Sequence, residues 1–134
     1  PPPSRRGLVL IDPSYEIKSD YPRVLAALKD GIKRFATGTY LIWLPFLPSI
    51  EARALPEKLR KLPGDWLQIS LHVRGPATKG YGMSGSAMFV FHPPWPRKQA
   101  LHDSLPWLTE VLSAAVNASW ELLESNAGGS PRPN

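Results

Sequence analysis

GLVLIDPSYEIKSDYPRVLAALKDGIKRFATGTYLIWLP, residues 7–45, is the stretch that decides the fold. It begins with a continuous apolar run, Gly7 to Ile11, which suits a strand covered on both faces of a parallel sheet. Asp12 and Pro13 stop that run. Ser19 or Asp20 can then cap a helix, and Pro22 is tolerated in its first turn. Val24, Leu25, Leu28, Ile32 and Phe35 recur at helical spacing and form one apolar face. Gly38 is placed to end the helix. TYLIWL follows as a second buried strand, closed by Pro45. The unit is strand, helix, strand, with the helix as crossover.

Working outward, SIEARALPEKLRKL (49–62) reads as helical with an interruption near Pro56, and WLQISLHVR (66–74) as a third strand. MSGSAMFVFHPPW (83–95) is a fourth strand closed by two prolines; the short loop GPATKGYG (75–82) makes it an antiparallel neighbour of the third. RKQALHDSLPWLTEVLSAA (97–115) carries Leu101, Leu105, Leu108 and Leu112 on one side, with Pro106 forcing a break or a fresh start. ASWELL (118–123) reads as one further strand. No internal repeat is found. The expected class is α/β, the second half of a doubly wound sheet ending in an antiparallel strand pair.

The totals set bounds. A chain of 134 residues, 43% hydrophobic, is one domain with a real core. The formal charge of +5 favours an anionic partner, nucleic acid first, though many basic proteins bind nothing anionic. With no cysteine, the fold cannot rest on disulfides and zinc held by thiolates is excluded. No apolar stretch approaches the roughly 20 residues that span a bilayer. His72, His92 and His102 are scattered and lack a nearby cluster of acids, so no metal site is expected. MSGSA lacks the Gly-x-Ser-x-Gly elbow of a serine hydrolase. Trp43, Trp66, Trp107 and Trp120 lie in apolar stretches and read as core.

In an open α/β sheet, ligands bind beyond the carboxyl ends of the strands, and Asp12 sits at such an end. Two readings of DPSY compete. One is a turn, because Asp-Pro followed by Ser is good turn chemistry. The other is an amino-methyltransferase site. The exocyclic amine of a nucleobase is a poor nucleophile, because its lone pair is delocalised into the ring. An acid and a neighbouring carbonyl that accept its two N–H bonds localise that pair toward an incoming methyl group, and a proline fixes the carbonyl. An aromatic ring three residues later can stack on the extruded base.

RRGLVLIDPSYE, then DY, GIKRFATGTYLIWLP, MSGSAMFVFHPPW and LPWL are similar to the C-terminal half of the bacterial 23S ribosomal RNA adenine N6-methyltransferases of the large-subunit J type. The likeness runs from about residue 5 to residue 108. It implies a Rossmann-like, class I S-adenosylmethionine-dependent fold, 23S ribosomal RNA as partner and a cytoplasmic monomer. It also implies Asp12 as catalytic acid close to the methyl donor, Pro13 as carbonyl acceptor and Tyr15 as the base-stacking ring. Ser14, Lys18 and Lys79 join Tyr15 on the substrate side, and Arg5, Arg6, Lys33 and Arg34 are further phosphate candidates. The family's motif reads Asp-Pro-Pro-Tyr, so Ser14 is a departure that loosens the loop. HPPW (92–95) ends a strand with a similar form, but His92 stands where such motifs carry an acid or an amide; it reads as termination and packing.

A donor-binding glycine-rich turn is missing, since GPATKGYG follows a strand that runs into a hairpin. Residues 1–6 are therefore expected as a leading segment cut from a longer chain, 7–123 as the C-terminal part of a methyltransferase domain, and 124–134 as a flexible tail. The 134 residues alone are not expected to bind the donor well or to turn over. The rival expectation is a non-catalytic nucleic-acid-binding remnant.

Overall fold

The structure, a computed structural model, describes residues 1–74, 82–94, 98–113 and 118–125. Its elements are β1 (Leu8–Ile11), α1 (Asp20–Arg34), β2 (Thr39–Pro45), α2 (Ile50–Arg60), β3 (Trp66–His72), β4 (Gly85–Phe91), α3 (Lys98–Leu112) and β5 (Ser119–Glu124). The five strands form one mixed sheet in the order β1-β2-β4-β3-β5. β1 pairs parallel with β2, in the register Leu8↔Thr39 to Ile11↔Ile42, as a helical crossover requires. β4 runs antiparallel to both of its neighbours, Tyr40↔Phe91 on one side and Trp66↔Phe91 on the other. β1, β2 and β3 therefore point the same way and bring their carboxyl ends to one rim.

The hairpin of β3 and β4 forms as expected, but it does not close the sheet. β4 lies between β2 and β3, and β5 adds an antiparallel edge to β3, in the register Leu67↔Glu124 to His72↔Ser119. β4 pairs with β3 along its whole length, Trp66↔Phe91 to His72↔Gly85, and the apolar residues on both faces of β4 let it take an interior position. Tyr40, Ile42 and Leu44 of β2 and Ala87, Phe89 and Phe91 of β4 face Tyr21, Val24 and Leu28 of α1 and Ala52, Leu55 and Leu59 of α2. Leu28, Ile42, Leu59 and Phe89 are completely buried, each worth about 1.5–3 kcal/mol by transfer from water. On the opposite face, Leu41, Leu67, Ile69 and Val90 line a cavity of about 410 Å³ together with Leu101 of α3.

Four expectations need correction. β1 is not covered on both faces: Leu8 and Leu10, which share one face, are 64% and 57% exposed, because too little of the described residues packs over that face. Neither Pro56 nor Pro106 ends its helix. Each proline removes one backbone donor, but the flanking apolar residues still pack: Pro56 is buried with Leu55 and Leu59, and Leu105 beside Pro106 is buried. Trp107 is 62% exposed rather than core, because α3 turns Leu101 and Leu105 inward and Trp107 lies on another side of the helix. Helix α1 also ends earlier than Gly38, at a Phe35 cap whose N–H donates to Gly31 O.

Gly85 opens β4 opposite His72, where a Cβ would collide with the Leu71 carbonyl oxygen and come within 2.9 Å of His72 Cα. Gly85→Ala should lower stability by about 1–3 kcal/mol. In urea unfolding this appears as an earlier midpoint at unchanged slope.

Candidate functional site

At the shared rim, β1 ends at Ile11 and delivers Asp12 to solvent. Pro13 is half-buried and Ser14 exposed. At Tyr15 the backbone turns left-handed, with φ of 56°, a conformation that costs a non-glycine residue on the order of 1 kcal/mol or more. That turn swings the Tyr15 ring back into the protein. Its hydroxyl donates to the Trp43 carbonyl at 2.6 Å. Trp43 lies one residue past the last β1–β2 pair, Ile11↔Ile42, so the phenol meets the backbone of β2 where β1 has run out. The ring packs at centroid distances of 5.1 Å from Tyr21 and 6.3 Å from Trp43.

This corrects the expectation that Tyr15 offers an open ring to a base. The residue is 5% exposed, and its neighbours occupy the ring. In this geometry it is an anchor: it fixes the loop that carries Asp12 and Pro13. Burial pushes the Tyr15 phenol well up, and Tyr21, Asp12 and Asp20 add to the rise by charge. The same three groups thereby report that the two acids and the two tyrosines share one neighbourhood. Asp20, first residue of α1 and buried, is the member that sequence reasoning used only as a helix cap. An acid in a first helical turn gives no signal of which way it points.

Lys18 stands on the same loop, highly exposed, with Nζ 3.2 Å from Glu51 Oε1 in the first turn of α2. Glu51's own backbone N–H, and then Lys18, hold that carboxyl below its usual range. An exposed pair of this kind adds little stability, but it ties the Asp12 loop to α2. Lys79 and Trp95 lie outside the described residues. Arg34 is paired with Asp30 at 2.7 Å on the outer side of α1.

His92 ends β4, and β4 is antiparallel, so it lies at the opposite rim from Asp12. Its N–H donates to Asp65 O at 2.8 Å, and its carbonyl accepts from the Thr39 hydroxyl at 2.9 Å. The stretch around it stitches strand ends together. No group of three or more His, Asp or Glu side chains that could hold a metal occurs among the described residues. No helix among them is long and apolar enough to cross a membrane.

A polar stripe was also missed. Gln68, Ser70 and His72 alternate along β3 and face the helices at positions where β2 and β4 carry core residues. Gln68 and Ser70 are buried, and Gln68 Oε1 accepts from Nε and Nη2 of Arg60 at 3.1 and 2.9 Å. The alternation in WLQISLH carries this signal, but it reads equally as a strand with a wet face.

Residues 1–123 match the family described as Ribosomal RNA large subunit methyltransferase D, RlmJ. Two curated relatives bear the name Ribosomal RNA large subunit methyltransferase J. The one from Haemophilus influenzae is 43% identical over 125 residues, 90% of this chain and 43% of its own length. The one from Escherichia coli is 42% identical over 129 residues, 90% of this chain and 44% of its own. The chain thus spans less than half the length of these relatives. A crystal structure of a Legionella pneumophila protein aligns with a TM-score of 0.84 at 29% identity, over 95% of this chain and 46% of that one.

Because folding raises the Tyr15 phenol above the ordinary value of 10.0, it favours the neutral form. The stability this contributes is complete below that value and is lost as the pH climbs toward the higher folded one. Tyr15→Phe should cost about 1–3 kcal/mol at neutral pH, by leaving the Trp43 carbonyl without its donor. It should also flatten the alkaline loss of stability, as read from urea unfolding between about pH 8 and about pH 11.

Proposed function

Since the chain belongs to the Ribosomal RNA large subunit methyltransferase D, RlmJ family, we propose that it carries the acceptor-side half of a site that methylates the N6 amine of an adenine in 23S ribosomal RNA, with S-adenosylmethionine as donor. The observation that supports this reading is the placing of Asp12. It is an exposed carboxylate at the carboxyl end of a parallel strand, on a loop locked to β2 by the Tyr15 hydroxyl. The sheet order supports the further reading that this is the second half of a class I, Rossmann-like sheet. Parallel β1, β2 and β3 with one reversed strand set between β2 and β3 suit that assignment.

The donor fits this rim in part. Asp12 can face its polar groups, but no glycine-rich strand-to-helix turn to hold the rest occurs among the described residues. Turnover therefore needs more than these residues. When bound, the donor supplies an electrophilic methyl group. Asp12 accepts one N–H of the adenine amine and the Pro13 carbonyl accepts the other, which draws the nitrogen lone pair out of the ring. As the methyl group's bond to the donor sulfur broke and its bond to the amine nitrogen formed, Asp12 would take the proton the amine loses, directly or through water. Tyr15 works behind this pair as a positioning residue, and its bond to Trp43 offsets the looseness that Ser14 introduces. Lys18, with its exposed ammonium, is available to a phosphate by exchange from Glu51. A ribosomal RNA substrate places the activity in the cytoplasm.

The test is Asp12→Ala in the complete family protein that contains this chain. We expect kcat for RNA methylation to fall by about 10²–10³-fold, with an unchanged circular dichroism spectrum. A variant that methylates at the original rate would overturn the assignment.

A further inference from the structure

On the same rim, away from Asp12, a cleft of about 440 Å³ opens between α2 and the ends of β3 and β5. Its volume is within the range of small-molecule sites. Phe46 and His72 meet in its wall as a parallel stack, with ring centroids 4.7 Å apart and planes 6° from parallel. Both rings are half-buried, so they are held in place and still reach the cleft. Arg53, Glu57 and Arg60 line it from one side of α2, at spacings of four and three residues.

The floor is polar by construction. Gln68 Nε2 donates to the Ser70 hydroxyl at 3.1 Å, and Arg60 is fixed by Gln68 and by Glu57 at 2.6 Å. The Arg60 guanidinium also lies 5.9 Å from the centre of the Trp66 ring. Burying such groups is costly unless each has a partner, and an apolar floor would be simpler to build. Arg53 differs from Arg60: it is exposed at the mouth.

We propose that this cleft is a subsite for an unpaired nucleotide of the RNA substrate, its base laid against the Phe46–His72 pair and its phosphate met by Arg53. The inference rests on the reading of the chain as an RNA methyltransferase segment. Stacked rings beside a cation match the chemistry of single-stranded RNA, whose bases each offer a flat face next to a negative charge. The spacing agrees. Phe46 follows β2, one step from β1, and His72 ends β3, three steps from β1, so at ~4.8 Å per step the stack lies between ~5 and ~14 Å across the sheet from the strand that carries Asp12. That is a few nucleotides of extended strand from the target adenine. The cleft would thus select RNA by what flanks the adenine, a task that Asp12 and Pro13 cannot perform.

The experiment uses the complete family protein and an oligoadenosine hexamer as probe, with binding followed by fluorescence anisotropy. His72→Ala should weaken binding of the probe about tenfold, and raise KM for the RNA with little change in kcat. Arg53→Glu changes a side chain in solvent, so folding is spared. Lys58→Glu makes the same charge change on the same helix outside the cleft. Weaker binding by Arg53→Glu than by Lys58→Glu supports the subsite. Equal affinities for these two, together with a His72→Ala protein that binds as tightly as the unaltered one, overturn it. The two readings fail separately: Asp12→Ala acts on kcat, and the cleft variants act on binding of a probe that needs no methylation.

Discussion

The Tyr15 hydroxyl bound to the Trp43 carbonyl is the contact on which the rim depends. β1 is four residues long and β2 seven, so beyond Ile42 the longer strand keeps β4 on one edge and loses β1 on the other, just where the candidate site begins. A phenol takes over that backbone acceptor. In doing so it holds the loop between β1 and α1 against the sheet and leaves Asp12 standing outside. The left-handed backbone at Tyr15 is the cost of turning a large ring inward within three residues of the strand end. Burial keeps the phenol protonated, and only a protonated phenol can donate.

Much of the architecture was legible because it is written in period and punctuation. The parallel β1–α1–β2 unit, the β3–β4 hairpin and the last strand follow from apolar runs, a helical face from Val24 to Ile32, and turn residues. The place of β4 was not legible, since a hairpin specifies its partner and not which edge stays open. Pro56 and Pro106 misled for a related reason: a proline weighs against a helix locally, and packing of Leu55, Leu59 and Leu105 decides the matter at longer range. Exposure of β1 was hidden too, because Leu8 and Leu10 look the same in sequence whether or not anything covers them.

Of the candidate site, the position at a strand end was legible and the orientation of its side chains was not. Asp12, Pro13 and Tyr15 do gather at one rim, but an aromatic residue after a turn gives no hint of whether its ring faces out or in. A positive φ at a tyrosine has no sequence signature. The polar stripe on β3 was equally silent, as Gln68, Ser70 and His72 could as well have faced water. Arg60 of α2, which binds Gln68, stands only eight residues earlier in the chain, but nothing in that spacing says the strand turns its polar face to the helix.

The reversed strand at the centre of the sheet also shapes how the protein can be made. β2 is held on one side by β1, which precedes it closely, and on the other by β4, which is synthesised only after α2 and β3. Until β4 arrives, a nascent chain exposes the ladder groups and the apolar flank of Leu41 and Trp43 on an unfinished edge. Such topologies assemble late and slowly, and the waiting intermediate is vulnerable to pairing with the wrong strand.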